Sequence, residues 1–299
     1  MTRLLRALAL PGLALALCPA LFALAGCDVV ELAAQSQTGG FDRTLTVNGP
    51  VDLDVRTGSG GIRVDTSAGN SVHVVARIRA SSSLFDDSAA SRIKEIEAHP
   101  PIEQNGGTIR IGQMTDRDSD LYQNISISYE ITVPFNSTIR SASGSGSHHI
   151  GSVNGSITAH SGSGDLDIAQ SGGTVVARTG SGTITIERAA GRVEAQAGSG
   201  DIRAGSVGGA IRARTGSGSV EMTQVARADA DVHTGSGSVR LSLPENAAFD
   251  LTAQTGSGSI HVVQPMSARV QSRHRLEGSV RGGGTRVTIS TGSGSITIR

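Results

Sequence analysis

Apolar and polar residues alternate along most of this chain in short runs that superpose column upon column. Ile62-Arg63-Val64, Leu166-Asp167-Ile168, Ile184-Thr185-Ile186, Ile202-Arg203-Ala204, Val220-Glu221-Met222, Val239-Arg240-Leu241, Ile260-His261-Val262 and Ile296-Thr297-Ile298 all read apolar, polar, apolar. That period of two marks a strand with one face buried. A second set shares the pattern with a smaller residue in the inner column: Leu53 and Val55, Ile157 and Ala159, Val175 and Ala177, Val193 and Ala195, Ile211 and Ala213, Leu251 and Ala253. The alanine column predicts two sheets lying close together over a thin core.

The two sets are joined by Gly-Ser-Gly, which occurs nine times, with first glycines at 58, 144, 162, 180, 198, 216, 235, 256 and 292. The step is 18 residues four times running, then 19, 21 and 36. A repeat this short cannot bury its apolar face alone and must stack on its neighbours. The expected fold is therefore all-β: a single-stranded parallel β-helix, or solenoid, of about 18 residues and two strands per coil. Parallel pairing would advance it by about 4.8 Å per coil. The corner must reverse in a few residues, which calls for positive φ and so for glycine. A Thr or Ser precedes most motifs (Thr57, Ser161, Thr179, Thr215, Thr234, Thr255, Thr291) and can bond local backbone there.

Between the first and second motifs the rhythm breaks. Residues 86–98 place Ile93 and Ile96 three apart after Asp86 and Asp87, which predicts a short amphipathic helix. Strand patterns return over 107–112 and 125–133, and Pro134 ends that run. Residues 273–284, RHRLEGSVRGGG, interrupt the last long gap and read as a protruding loop or a cap. The closing strand, 295–299, has nothing after it in the chain and is expected at an open end of the stack that this segment shields.

The order of these pieces resembles a known family. The strand-rich opening, KEIEAHPPIEQNGGTIRI, SYEITVPFNSTIRSASGSG, the 18-residue stack and TGSGSITIR are together similar to the bacterial putative-adhesin family, domain of unknown function 4097. The resemblance runs over about residues 41–299. It implies a β-solenoid envelope protein called an adhesin by analogy. Some relatives are tied to envelope-stress regulation, and no catalytic residues carry over.

The N-terminus adds an address. Arg3 and Arg6 precede an apolar stretch over 7–25, which ends in Leu24-Ala25-Gly26-Cys27. This looks like a lipoprotein signal peptide, 1–26, with Cys27 as the lipidation site and 27–40 as a lipidated tether before the 41–299 solenoid domain. An uncleaved anchor and plain secretion are the competing readings. With Cys18 removed, no disulfide can form. Asp28 resembles an inner-membrane retention signal, although the choice between inner and outer membrane stays open.

Composition narrows the partners. The net charge is zero, with no tryptophan and two tyrosines, so neither a nucleic-acid stripe nor an aromatic sugar groove is expected. Three chemistries invite inspection. Carboxylates follow the motif directly at Asp165 and Asp201, but the aspartate slot of a calcium roll falls on Leu166 and Ile184. His148, His149, His160 and Asp167 fall in adjacent coils, yet strand parity puts His148 and His149 on opposite faces. Arg203, Glu221 and Arg240 alternate in charge and read as a register-setting ladder. No serine sits in a nucleophile elbow before a helix. The expectation is a non-enzymatic, lipid-anchored envelope protein without cofactors that engages the membrane through Cys27. Its further partner is an envelope protein or glycan. A sensor or regulatory partner in an envelope-stress response is the alternative class, and a polysaccharide-acting enzyme the third.

Overall fold

The computed structural model describes residues 37–80, 88–112 and 120–299, all within a compact unit spanning 34–299. Its strands form one sheet of 12 and one of 13. The strands after each motif make the first sheet, and those before it make the second. Successive coils pair in parallel and in register. Leu166 lies beside Ile184, Ile184 beside Ile202 and Ile202 beside Val220. On the other side Ile157, Val175, Val193 and Ile211 follow one another. Each column therefore continues through the stack, and its inward members are buried. Burial of one aliphatic side chain contributes about 1.5–3 kcal/mol, and the columns supply dozens. The solenoid predicted from the periodicity is the fold observed, with one α-helix, Ser88–Ala98, among the described residues.

The helix lies at the N-terminal end with Ala89, Ile93 and Ile96 buried. The acidic start expected at Asp86 and Asp87 falls outside the described residues. The first strand begins at Gln37, four residues before the boundary expected at Phe41. Gly39 and Gly40 carry no apolar signal, but a Cβ on Gly39 would lie 2.3 Å from Ile93 Cγ2. The bareness of Gly39 lets the helix close on the strand, and the Gly40 N–H donates to Glu97 Oε1 at 2.7 Å.

Order in space departs from order in sequence at both ends. The Gly58 coil pairs directly with the Gly144 coil, Leu53 beside Ile139 and Val64 beside Ile150. The intervening segment goes to its outer side. There Thr108–Ile111 and Ile125–Pro134 add in parallel, and Ser71–Ala80 and Gln37–Thr46 follow antiparallel.

The C-terminal end corrects the expectation. Strand Ile296–Ile298 is not terminal: it lies between Val239–Ser242 and Ile260–Val262. Its partner Thr285–Ser293 lies between Ala230–Ser236 and Phe249–Ser257. The last coil of the sequence is the penultimate coil in space. The connection explains how. After the Gly256 coil, Met266–Gln271 and Arg275–Val280 form a hairpin antiparallel to Phe249–Ser257. Arg281, Gly282 and Gly283 then turn with positive φ and pass the chain around Phe249 to the other edge of that strand. Residues 273–284 thus do not protrude; they hold one arm of a cap. Asp250 latches it, accepting from Ser279 Oγ at 2.6 Å and from the Gly284 N–H at 3.3 Å. The Ser279 hydroxyl foremost, then the Gly284 amide, hold the Asp250 carboxyl below its ordinary pKa. The hairpin covers only the second sheet. In the first, Ile260–Val262 is the edge strand, and Ile260 and Val262 are half-buried where every other coil buries them.

Candidate functional site

The residues with the most chemistry cluster at the Gly-Ser-Gly corner, where two hydrogen-bond ladders stitch one coil to the next. The first is the Thr/Ser column. Thr179 Oγ1 donates to the carbonyl of Gly164 at 2.9 Å, Thr215 to Gly200 at 2.9 Å and Thr234 to Gly218 at 2.9 Å. These bonds cross to the neighbouring coil and are not the local turn bonds expected. Thr57 and Thr255 alone add a bond to the serine two residues on. Thr291 reaches Gly237 and Thr255 reaches Gly294, following spatial order across the interleaved coil. The two glycines serve different needs. Gly200 has φ +146, and a Cβ there would lie 1.9 Å from the Gly182 carbonyl oxygen. Gly198 needs no positive φ, but its Cβ would stand 2.5 Å from the Gly180 oxygen. Coil-to-coil approach, more than the turn, excludes side chains at the first glycine.

The second ladder uses the residue after the motif. Asp165 Oδ1 accepts the Thr183 N–H at 2.8 Å, and Asp201 Oδ1 accepts the Ser219 N–H at 2.9 Å. Ser147 accepts the Asp165 N–H at 3.2 Å, and Ser219 the Ser238 N–H at 3.4 Å. Asp165 and Asp201 are thus hydrogen-bond acceptors for corner amides rather than calcium ligands in a roll. Asp201 Oδ2 is also bound by Arg203 at 2.6 Å. Arg203 turns to that partner rather than to Glu221, so of the expected Arg203–Glu221–Arg240 ladder only Arg240–Glu221 closes, at 3.5 Å.

The histidines separate. His149 sits outward beside Asp167, as parity requires. His160 is on the opposite sheet. No group of three or more metal-binding side chains occurs among the described residues. His148 is the residue that the column reading passed over. It occupies an aliphatic column between Ile62 and Leu166, fully buried. Its Nδ1 shares a hydrogen bond with Ser141 Oγ and its Nε2 with Ser143 Oγ, both at 2.8 Å. Those serines replace the alanine or valine and the threonine of other coils, and their place in the columns is the sequence signal. Burial first, and the charge of His160 second, depress the His148 pKa from 6.5 to about 4.

The unfolded chain takes up this proton before the folded one, so the contribution is fully present above about pH 6.5 and is lost as pH falls towards 4. The expected loss approaches about 3 kcal/mol. A Ser141→Ala, His148→Leu variant should lose most of the fall in melting temperature between those pH values. An unchanged pH profile in the variant would refute this role for His148.

Cys27 and Asp28 lie outside the described residues. No curated protein matches the sequence. Among solved structures the chain is similar to a putative adhesin from Bacteroides fragilis, at 15% identity over 89% of this chain and 98% of that one, with a TM-score of 0.39. It is similar also to a putative lipid binding protein from Parabacteroides distasonis, at 12% identity over 87% and 96%, TM-score 0.43. A putative cell adhesion protein from Clostridium sporogenes aligns at 12% identity over 88% and 99%, TM-score 0.27. Sequence similarity to a family is stronger: residues 97–299, from the end of the helix through every remaining coil, match the family described as Toastrack DUF4097, and the chain belongs to it.

Proposed function

We propose that this is a non-enzymatic, lipid-anchored protein of the bacterial cell envelope whose rigid solenoid presents a surface for interaction. One observation carries the reading. Many of the groups that could serve catalysis or metal binding instead hold the stack together: the threonine hydroxyls on glycine carbonyls, Asp165 and Asp201 on corner amides, and His148 between two serines. What remains outward is a register of polar and charged side chains, such as Asp167, Thr185, Glu221 and Arg240, on a stiff backbone, suited to contact rather than turnover. Accumulating product from an envelope glycan incubated with purified protein would contradict it.

The anchor rests on Leu24-Ala25-Gly26-Cys27 behind an apolar stretch. Cys27→Ser should leave the precursor unprocessed and abolish lipid labelling, because a diacylglyceryl group with a further acyl chain needs that sulfur and its freed amine. Normal processing and membrane retention in the variant would contradict the lipoprotein reading. The regulatory alternative has one observation in its favour. A neutral histidine inside the core makes the stability of the stack depend on acidity between about pH 4 and 6.5, a property that a sensor could use.

A further inference from the structure

The neutral total charge conceals a strong polarity. Residues 260–299 hold six arginines and one glutamate, a net charge of +5, leaving −5 for residues 1–259. Interleaving of the last coil gathers these arginines into the last two coils and the hairpin at one end of the stack. Only two of them meet a carboxylate among the described residues: Arg269 with Asp250 at 3.5 Å, and Arg275 with Glu277. Arg281 donates to the Glu245 carbonyl and Arg299 to Ser242 Oγ, both neutral. Arg273 and Arg286 are exposed and make no ion pair among the described residues. The same end shows Val263 at 61% exposure and Val270 at 39%, beside half-buried Ile260 and Val262.

Three occupants could cover such an end. A partner strand adding to Ile260–Val262 would find only three residues of edge, too short a template to hold a strand. A second copy docking head to tail would need an acidic opposite end, but most carboxylates described there already have a basic or amide partner. Asp42 pairs with His73 at 2.7 Å, Glu130 with Arg77 at 2.7 Å and Asp52 with Arg140 at 2.6 Å, and Glu97 closes the edge amide of Gly40. Unpaired guanidinium groups around exposed aliphatic side chains match an anionic lipid surface, which offers phosphates to the charges and an apolar layer to the valines.

We propose that the C-terminal end of the stack docks on an anionic lipid bilayer through Arg273, Arg281, Arg286 and Arg299, with Val263 and Val270 entering the interface. This contact is independent of lipid attachment, so the test uses the compact unit 34–299, which lacks both Cys27 and the apolar stretch 7–25. Binding is compared between phosphatidylcholine vesicles and vesicles in which about a third of the lipid is phosphatidylglycerol, the difference being the readout. The anionic vesicles should bind more, and salt near 0.5 M should abolish the excess. Changing the four arginines to glutamine should lower the excess by at least about tenfold. The same change at Arg63, Arg79, Arg178 and Arg188 should leave it within about twofold, since those residues lie away from this end. Val263→Asn should weaken binding at unchanged charge. Unchanged melting temperatures establish that the variants are folded. Equal binding to both vesicle types, equal loss in the two quadruple variants, no effect of Val263→Asn, or displacement by inorganic phosphate at matched ionic strength would each overturn the proposal. The last would indicate a discrete phosphate site.

Discussion

Ile186→Asp unfolds the stack, whereas Thr185→Asp leaves it folded. The two residues are neighbours on one strand, but Ile186 is 1% exposed in the core and Thr185 stands outward between Asp167 and Arg203. A carboxylate at 186 would be buried with no partner, at a cost of several kcal/mol. At 185 it would meet one like and one opposite charge across the ladder, each worth at most about 1 kcal/mol. Thermal melts of the two variants check this. Equal melting temperatures would contradict the assignment of faces.

Truncation after Gly284 should be as damaging as a core charge, although it removes only the end of the chain. The deleted strands bury Val287, Ile289, Ile296 and Ile298. At about 1.5–3 kcal/mol each, their loss rivals the whole stability of an ordinary domain. It also strips a partner from two coils at once. Val239–Ser242 loses Ile296–Ile298 on one side, and Ile260–Val262 loses its sole neighbour in the sheet. Limited proteolysis should therefore cut the truncated protein throughout 245–284, while the stack up to the Gly216 motif resists. A terminal coil in a stack ordered as the sequence is would merely peel away. Resistance of the Gly256 coil to protease would show that this coil does not depend on the last one.

The features legible in the sequence were those with a local period. Columns such as Ile184 and Ile186 against Thr185 gave strands, faces and coil length directly, and Ile93 with Ile96 gave the helix. Coil order was not legible for the same reason that the coils were. Val239 and Leu241 can stack equally well on Ile260 and Val262 or on Ile296 and Ile298, because every coil presents the same columns. Only the hairpin and the turn at Arg281–Gly283 decide between them. The spacing of the corner hydroxyls marks them as structural, but a sequence cannot say whether Thr179 bonds its own turn or the coil beside it. His148 was hidden by occupying an aliphatic position with compensating serines seven and five residues before it. The basic end was present in the sequence throughout, masked by a net charge of zero.

Coil order also decides which residues form the exposed C-terminal end, and disulfide trapping tests it most directly. In a chain with Cys18 and Cys27 replaced by serine, Arg240→Cys with Thr297→Cys places two thiols on adjacent parallel strands in register, facing outward. Their Cα atoms, about 4.8 Å apart, fall within the range a disulfide spans. Arg240→Cys with His261→Cys puts the thiols two strands apart, about 9.6 Å, beyond that range. Mild oxidation should close the first pair readily, with unchanged melting behaviour, and leave the second as free thiols. Closure of the second pair in preference to the first would contradict the interleaved order and the basic end built on it.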